Sequence, residues 1–215
     1  MKIALMNEFS QASKNAIIFN ELVAASAHQG HTIFNVGMCD DNDHRLTYVH
    51  LGIISAILLN SRSVDFVITG CGTGQGALMA LNTFPGVTCG YCIEPKGLGD
   101  AYLFAQVNNG NALSLPFAKG FGWGAELNMR YIFEKAFDGE KGLGYPAERR
   151  ESQNANAIIL SNMKEAVSKP LMDALQAIDP ELLKQALGGE KFQKCFFNNS
   201  KDKELVNYVK NLLDR

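Results

Sequence analysis

Short apolar runs alternate with longer amphipathic stretches through the first 137 residues. Residues 2–6, 32–36, 64–69, 87–93 and 112–115 read as strands, being apolar nearly throughout rather than at every second position. Residues 10–29, 47–59, 76–82, 100–107 and 125–137 read as helices. Ser10 is a fitting N-cap for the first helix and Gly30 its stop. The second, at 47–59, is apolar on more than one face, which predicts deep burial. Strict β/α alternation with continuously apolar strands predicts a parallel sheet covered on both faces. The expected fold is therefore an α/β three-layer sandwich, Rossmann-like, around a five-stranded parallel sheet. Right-handed crossovers bring all strand C-termini to one edge, where ligands of such sheets bind.

The loops expected at that edge are Asn7-Glu8-Phe9, residues 37–45, residues 70–76 and residues 94–99. The turn Asn108-Asn109-Gly110-Asn111 precedes the fifth strand, and pattern alone does not place it against them. Residues 138–150 change to a glycine-rich loop, so the division expected is an α/β domain over 1–150 and a helical C-terminal extension over 151–215. In the extension, 154–167, 171–178 and 202–213 read as helices; Asp179-Pro180-Glu181 starts another, which Gly188-Gly189 ends.

Composition narrows the function. With 215 residues, 47% of them hydrophobic, the chain can bury a sizeable core. A net charge of −2 gives no reason to expect nucleic acid or an anionic membrane as partner. No apolar run approaches the ~20 residues of a membrane span. Five scattered cysteines, an odd count, suit reduced thiols and a cytoplasmic protein.

The candidate chemistry is concentrated in Gly70-Cys71-Gly72-Thr73-Gly74-Gln75-Gly76, a cysteine in a glycine loop between a buried strand and a helix. A thiol at a helix start is favoured as thiolate, and the free N–H groups there suit an oxyanion. Three readings stand at this level: a tight turn with an inert buried thiol, a dinucleotide loop with Glu94 as the distant acid, and a thiolate base beside an anion hole. Cys89 and Cys92, on opposite faces of a strand, read as core residues. His28, His31, His44 and His50 lack metal-ligand spacing. Arg149-Arg150 is either a solvated pair or an anion site, and the Asn108, Asn109, Asn111 cluster is either turn chemistry or a set of donors for a polyol.

The glycine loop, followed by Asn82, Phe84, Pro85, Gly86 and Val87, resembles the core motif of the isomerase family that holds ribose-5-phosphate isomerase type B and the galactose-6-phosphate isomerase subunits. Residues 106–113, Gln-Val-Asn-Asn-Gly-Asn-Ala-Leu, resemble its second motif, and Thr47-Tyr48-Val49-His50 its D-Y-P-H segment. The resemblance implies aldose–ketose isomerisation through a cis-enediol(ate), with no metal or nicotinamide. Cys71 would be the base and Thr73 would handle substrate oxygens. The N–H groups of Gly72, Gly74 and Gly76 would hold the enediolate. Asn7, Glu8, Tyr48, His50, Asn108, Asn109, Asn111 and Arg150 would contact substrate. It also implies a homodimer or homotetramer whose sites are shared between subunits.

The departures are specific. Asn7-Glu8 stand where the family carries Asp-His, Val107 replaces the histidine linked to ring opening, and Pro146 replaces the first of two phosphate arginines, leaving Arg150. These changes and the chain length are similar to a long branch acting on 4-deoxy-L-threo-5-hexosulose uronate. That substrate is a linear keto-aldehyde with a carboxylate, needing neither ring opening nor a full phosphate clamp. A pentose or hexose phosphate is the alternative.

Overall fold

The computed structural model describes residues 1–38, 40, 43–92 and 98–214 of the 215. Five strands, β1 (Lys2–Asn7), β2 (Thr32–Asn35), β3 (Phe66–Cys71), β4 (Cys89–Tyr91) and β5 (Ala112–Pro116), form one sheet in the order β2-β1-β3-β5-β4. Every pairing is parallel. The chain winds outward in both directions from the β1–β3 junction, so the crevice at their C-terminal ends is the expected ligand position.

Helices cover both faces. α1 (Asn15–Ser26), α4 (Leu98–Leu103) and α5 (Ala125–Ala136) lie on one side; α2 (Tyr48–Asn60) and α3 (Gln75–Asn82) lie on the other. Cys89 belongs to the α2-side core and Cys92 to the opposite one, as the C-x-x-C spacing predicts. Both are free thiols, and burial pushes Cys89 up to about 12. α2 is buried over ten consecutive residues, His50–Leu59, in keeping with its two-sided apolar pattern.

Several boundaries differ from the pattern, among them the third strand, which runs Phe66–Cys71 and so takes Cys71 into the sheet. The 10–29 stretch is not one helix: a 3-10 segment over Phe9–Lys14 precedes α1 and another over Ala27–Gln29 follows it, ending at Gly30 with φ 66°. The cap is Glu8 rather than Ser10, because the Glu8 carboxylate accepts from Ser10 N–H at 3.2 Å. The fourth strand is three residues, Cys89–Tyr91; residues 93–97, with the Glu94 of the dinucleotide reading, lie outside the described residues. The helix expected at 100–107 becomes a π turn over Phe104–Asn108 after α4, ending at Asn109 with φ 50°.

The C-terminal stretch forms α6 (Arg150–Val167), α7 (Leu171–Ala177), α8 (Pro180–Leu187), α9 (Glu190–Asn199) and α10 (Lys203–Leu213). α8 starts as Asp179-Pro180 predicts, with the Asp179 carboxylate accepting from Glu181 N–H at 2.9 Å. α9 has no counterpart in the pattern reading; it spans Phe192, Cys195 and Phe196, all buried. Leu175, Leu183, Leu187, Phe192 and Val209 join Leu51, Ile54 and Ile57 in one apolar cluster. The extension also braces the loop after β2: Lys191 pairs with Asp43 at 2.8 Å, and the His44 ring rests on the Gly188-Gly189 turn. α6 differs from these helices in that none of its residues is buried.

Candidate active site

β3 carries the thiol to the sheet edge. Cys71 is its last residue, paired with Pro116 of β5, and is 7% exposed. Beyond it the chain must turn into α3 within three residues. Gly74, the N-cap, makes that turn with φ 73°, a left-handed conformation that other residues adopt at a cost. A Cβ there would also lie 2.7 Å from the Tyr91 ring and 2.8 Å from the Leu115 carbonyl carbon. The first α3 bond runs from Leu78 N–H to Gly74 O at 3.1 Å, so the earlier N–H groups of the turn fall before the helix ladder.

The carbonyls of this loop are pinned from the sheet side. Phe117 N–H donates to Cys71 O and Ala118 N–H to Gly72 O, each at 3.0 Å. The Tyr91 hydroxyl donates to Thr73 O and the Ser114 hydroxyl to Gly74 O, each at 2.6 Å. The Thr73 hydroxyl accepts from Gln75 N–H at 3.4 Å. Burial, then the Cys71 and Cys92 thiols, raise the Tyr91 phenol above its ordinary value.

The other candidates divide into three groups. Asn7, Glu8 and Tyr48 gather around the thiol loop. Asn7 pairs with Gly70 across β1 and β3; its amide is fully buried, donating to Asn15 Oδ1 at 2.7 Å, and its own Oδ1 has no hydrogen-bond partner. Glu8 N–H donates to Gly70 O at 3.0 Å, while its carboxylate accepts from Ser10 N–H and the Ser10 hydroxyl. The half-exposed Tyr48 ring lies against Gly76, where a Cβ would be 3.1 Å from it. Beside these, Ser10, Ser13, Asp40 and Arg45 line a cavity of about 440 Å3.

His50 faces elsewhere. Its Nδ1 accepts from Thr47 N–H at 2.9 Å and completes a capping box at the start of α2. Burial, then His44, lower its pKa, and the Gln185 side chain of α8 raises it. The ring thus belongs to the α2–α8 contact.

Asn108, Asn109, Asn111 and Arg150 sit at the opposite edge of the sheet. Asn111 precedes β5; its Oδ1 accepts from Thr88 N–H and its Nδ2 donates to Gly86 O, both at 2.8 Å. The 138–146 loop joins this corner to α6. Gly142 N–H donates to Ala105 O and Gly144 N–H to Gln106 O, while Arg150 packs on Gly144 and Asn154 Nδ2 donates to Gly142 O. Asn108, Asn109, Asn111, Ser161 and Lys164 line a cavity of about 250 Å3 there. Burial lowers the Lys164 ammonium, which donates to Val87 O.

A family model described as Ribose/Galactose Isomerase matches residues 3–138, the span that builds the sheet and the thiol loop. The chain belongs to that family. The isomerase also matches, over residues 166–212, a family model described as Ribose-5-phosphate isomerase. The structure of a ribose-5-phosphate isomerase from Vibrio parahaemolyticus is 62% identical over 99% of both chains, with a TM-score of 0.95. A 4-deoxy-L-threo-5-hexosulose-uronate ketol-isomerase, crystallised with a tartrate, is 55% identical over 100% of both chains, also at 0.95. A type B ribose 5-phosphate isomerase from Trypanosoma cruzi shares the fold at 14% identity and a TM-score of 0.61, covering 77% of this chain and 99% of that one. Comparison with curated proteins found no match. The chain is an aldose–ketose isomerase, and the dinucleotide reading of the glycine loop falls away. Among the described residues, no helix is long and apolar enough to cross a membrane.

Sequence reasoning passed over Tyr91, Ser114, Gln11 and Lys164. Gln11 brings its amide to 3.9 Å from a Cβ built at Gly72 and holds Lys14, which donates to Gln11 Oε1 at 2.8 Å. None of the four stands in a motif; each reaches its corner through strand register or helix packing.

Proposed function

We propose that the isomerase interconverts an open-chain 2-hydroxyaldehyde and its 2-ketose with Cys71 as the base. The Cys71 thiolate takes the proton from C2, the electron pair enters the enediolate, and the same sulfur returns the proton to C1. One C–H bond breaks and one forms; O2 gives up a proton and O1 gains one. Both electrons stay in the substrate, so the step needs no hydride acceptor. Negative charge on oxygen is met by the N–H groups of Gly72, Gly74 and Gly76, with the Thr73 hydroxyl beside them.

A complete site takes two copies of the chain, as a homodimer or homotetramer. Asn108, Asn109 and Arg150 lie at the sheet edge away from the thiol, so a second copy is needed to bring them to the substrate. Two exposed apolar surfaces support such an assembly. Ile158, Ile159, Leu160, Met163 and Val167 stud α6, and Tyr48, Val49, Met79, Ile178 and Leu182 line a groove of about 350 Å3 beside α3. The free thiols suit a cytoplasmic enzyme.

The substrate favoured is an open-chain 4-deoxy-5-keto-uronate. The observation that carries this reading is the pairing of Val107 and Pro146, in place of a ring-opening acid and a phosphate arginine, with 55% identity to a ketol-isomerase of that substrate. A sugar phosphate is the second reading, favoured by the Vibrio relative's description as a ribose-5-phosphate isomerase. Steady-state kinetics on the deoxy-keto-uronate, ribose 5-phosphate and galactose 6-phosphate decide: a kcat/KM for the uronate at least about a hundredfold above the phosphates is expected, and the reverse order overturns the reading.

A further inference from the structure

A trans peptide points its C=O and N–H in opposite directions, so whatever holds one carbonyl also aims the next residue's amide. The thiol loop is held in this way at two consecutive positions. The Tyr91 hydroxyl takes Thr73 O, which sets the direction of Gly74 N–H, and the Ser114 hydroxyl joins Leu78 N–H on Gly74 O, which sets that of Gln75 N–H, the donor to the Thr73 hydroxyl. The two donors are register partners, Tyr91 on β4 and Ser114 on β5, so neighbouring strands deliver neighbouring hydroxyls. Ser114 is fully buried. The Tyr91 ring closes over Gly74, within 2.7 Å of where a Cβ would sit.

We propose that Tyr91 is a positioning residue of the isomerisation: together with Ser114 it grips the Thr73 and Gly74 carbonyls and so aims Gly74 N–H and, through Gln75 N–H, the Thr73 hydroxyl at the enediolate oxygen. Its own proton is committed to Thr73 O and does not enter the reaction. The value of the grip is that the dipoles need no reorganisation when charge develops. A loop with a free Thr73 carbonyl would have to find that arrangement at each turnover. Burial raises the Tyr91 phenol, so its hydroxyl stays a donor at neutral pH. The inference rests on the reading of the Cys71 loop as the reacting site.

The test uses the full chain with Tyr91→Phe, Ser114→Ala and Cys71→Ala, on whichever sugar the parent turns over. Four quantities are read: kcat, KM, the affinity for a sugar hydroxamate that mimics the enediolate, and the affinity for a saturated sugar acid that does not. Tyr91→Phe is expected to lower kcat by at least about tenfold with KM within about twofold. Hydroxamate affinity should fall by the same factor, sugar-acid affinity should hold, and Ser114→Ala should repeat the signature. A purely structural role would move the thermal midpoint, or both affinities together. If neither variant shows the split while Cys71→Ala is inactive, the positioning role is overturned and the thiol reading stands. If Cys71→Ala turns over at the parent rate, the thiol reading fails and takes this inference with it.

Discussion

Cys71 and Asn111 mark opposite ends of one strand pair. Cys71 pairs with Pro116 at the C-terminal edge, while Asn111 lies just before Ala112, the partner of Val67, at the other. Five residues of β5 separate the two edges, about 16 Å at the usual strand rise. Side chains from Asn111 and its neighbours therefore do not meet the thiol of their own chain, and the proposed two-chain site predicts subunit complementation. In a mixture of Cys71→Ala and Asn108→Ala chains, each nearly inactive alone, half the randomly formed dimers are mixed. Each mixed dimer carries one intact site, so activity should recover to about a quarter of the parent's. Assay after mixed refolding, beside the separate variants, checks it; no recovery would mean that the site is built within one chain.

The Cys71→Ala chain should fold, because the replacement fits a buried strand end without a new polar group. Its kcat should fall by about a hundredfold to ten-thousandfold, the range that general bases supply. Circular dichroism confirms the fold and a single-turnover assay the loss. Serine at position 71 should be as poor, since a hydroxyl in the same place remains protonated at neutral pH.

Arg150→Ala bears on the anion. Arg150 is exposed and begins α6, so its removal should leave the fold intact. A charge-assisted contact is worth about 1.5–3 kcal/mol. KM should accordingly rise about tenfold or more with kcat within about threefold, because the anchor is remote from the transferred proton. An equal fall in kcat with KM unchanged would give Arg150 a role in the proton transfer itself.

Periodicity and glycine chemistry made the sheet, its layers and the thiol loop readable, since buried parallel strands are apolar throughout and a sharp strand-to-helix turn needs glycine. The rest depends on register and on contacts distant in sequence. Nothing local in Glu8 marks it as a cap in preference to Ser10; the choice follows from where Glu8 N–H is tied to Gly70 O. Tyr91 and Ser114 become neighbours only when β4 and β5 align. His50, which the resemblance assigns to substrate, meets Gln185 across 135 residues of chain, a contact that no window over 47–59 contains. Strand register also resolves the position of the asparagine turn, which the pattern left open.

The extension and the sheet should unfold together. Leu183 is fully buried in the cluster that also holds Leu51, Ile54 and Ile57. Leu183→Ala should cost about 3 kcal/mol, through lost burial and the cavity left behind. Urea unfolding followed by circular dichroism gives the loss, and amide exchange gives its reach. β3 amides and α8 amides should lose protection by the same amount. Loss confined to the helices after residue 170 would make the extension a separate unit.

Acidification should loosen the same contact. Burial lowers both His44 and His50, and His44 lowers His50 further; Gln185 raises both and Asp43 raises His44, without reversing the direction. An unfolded histidine titrates near about 6.5. Between that value and the depressed folded values the unfolded chain binds more protons than the folded one, so stability falls as pH falls through the window and is level above it. The thermal midpoint should thus be flat above about pH 7.5 and drop toward pH 5.5. His44→Asn should shrink the drop by removing one titrating ring and the repulsion on His50, while leaving the His50 cap of α2 in place. A midpoint that rises on acidification would reverse the sign assigned to the pair.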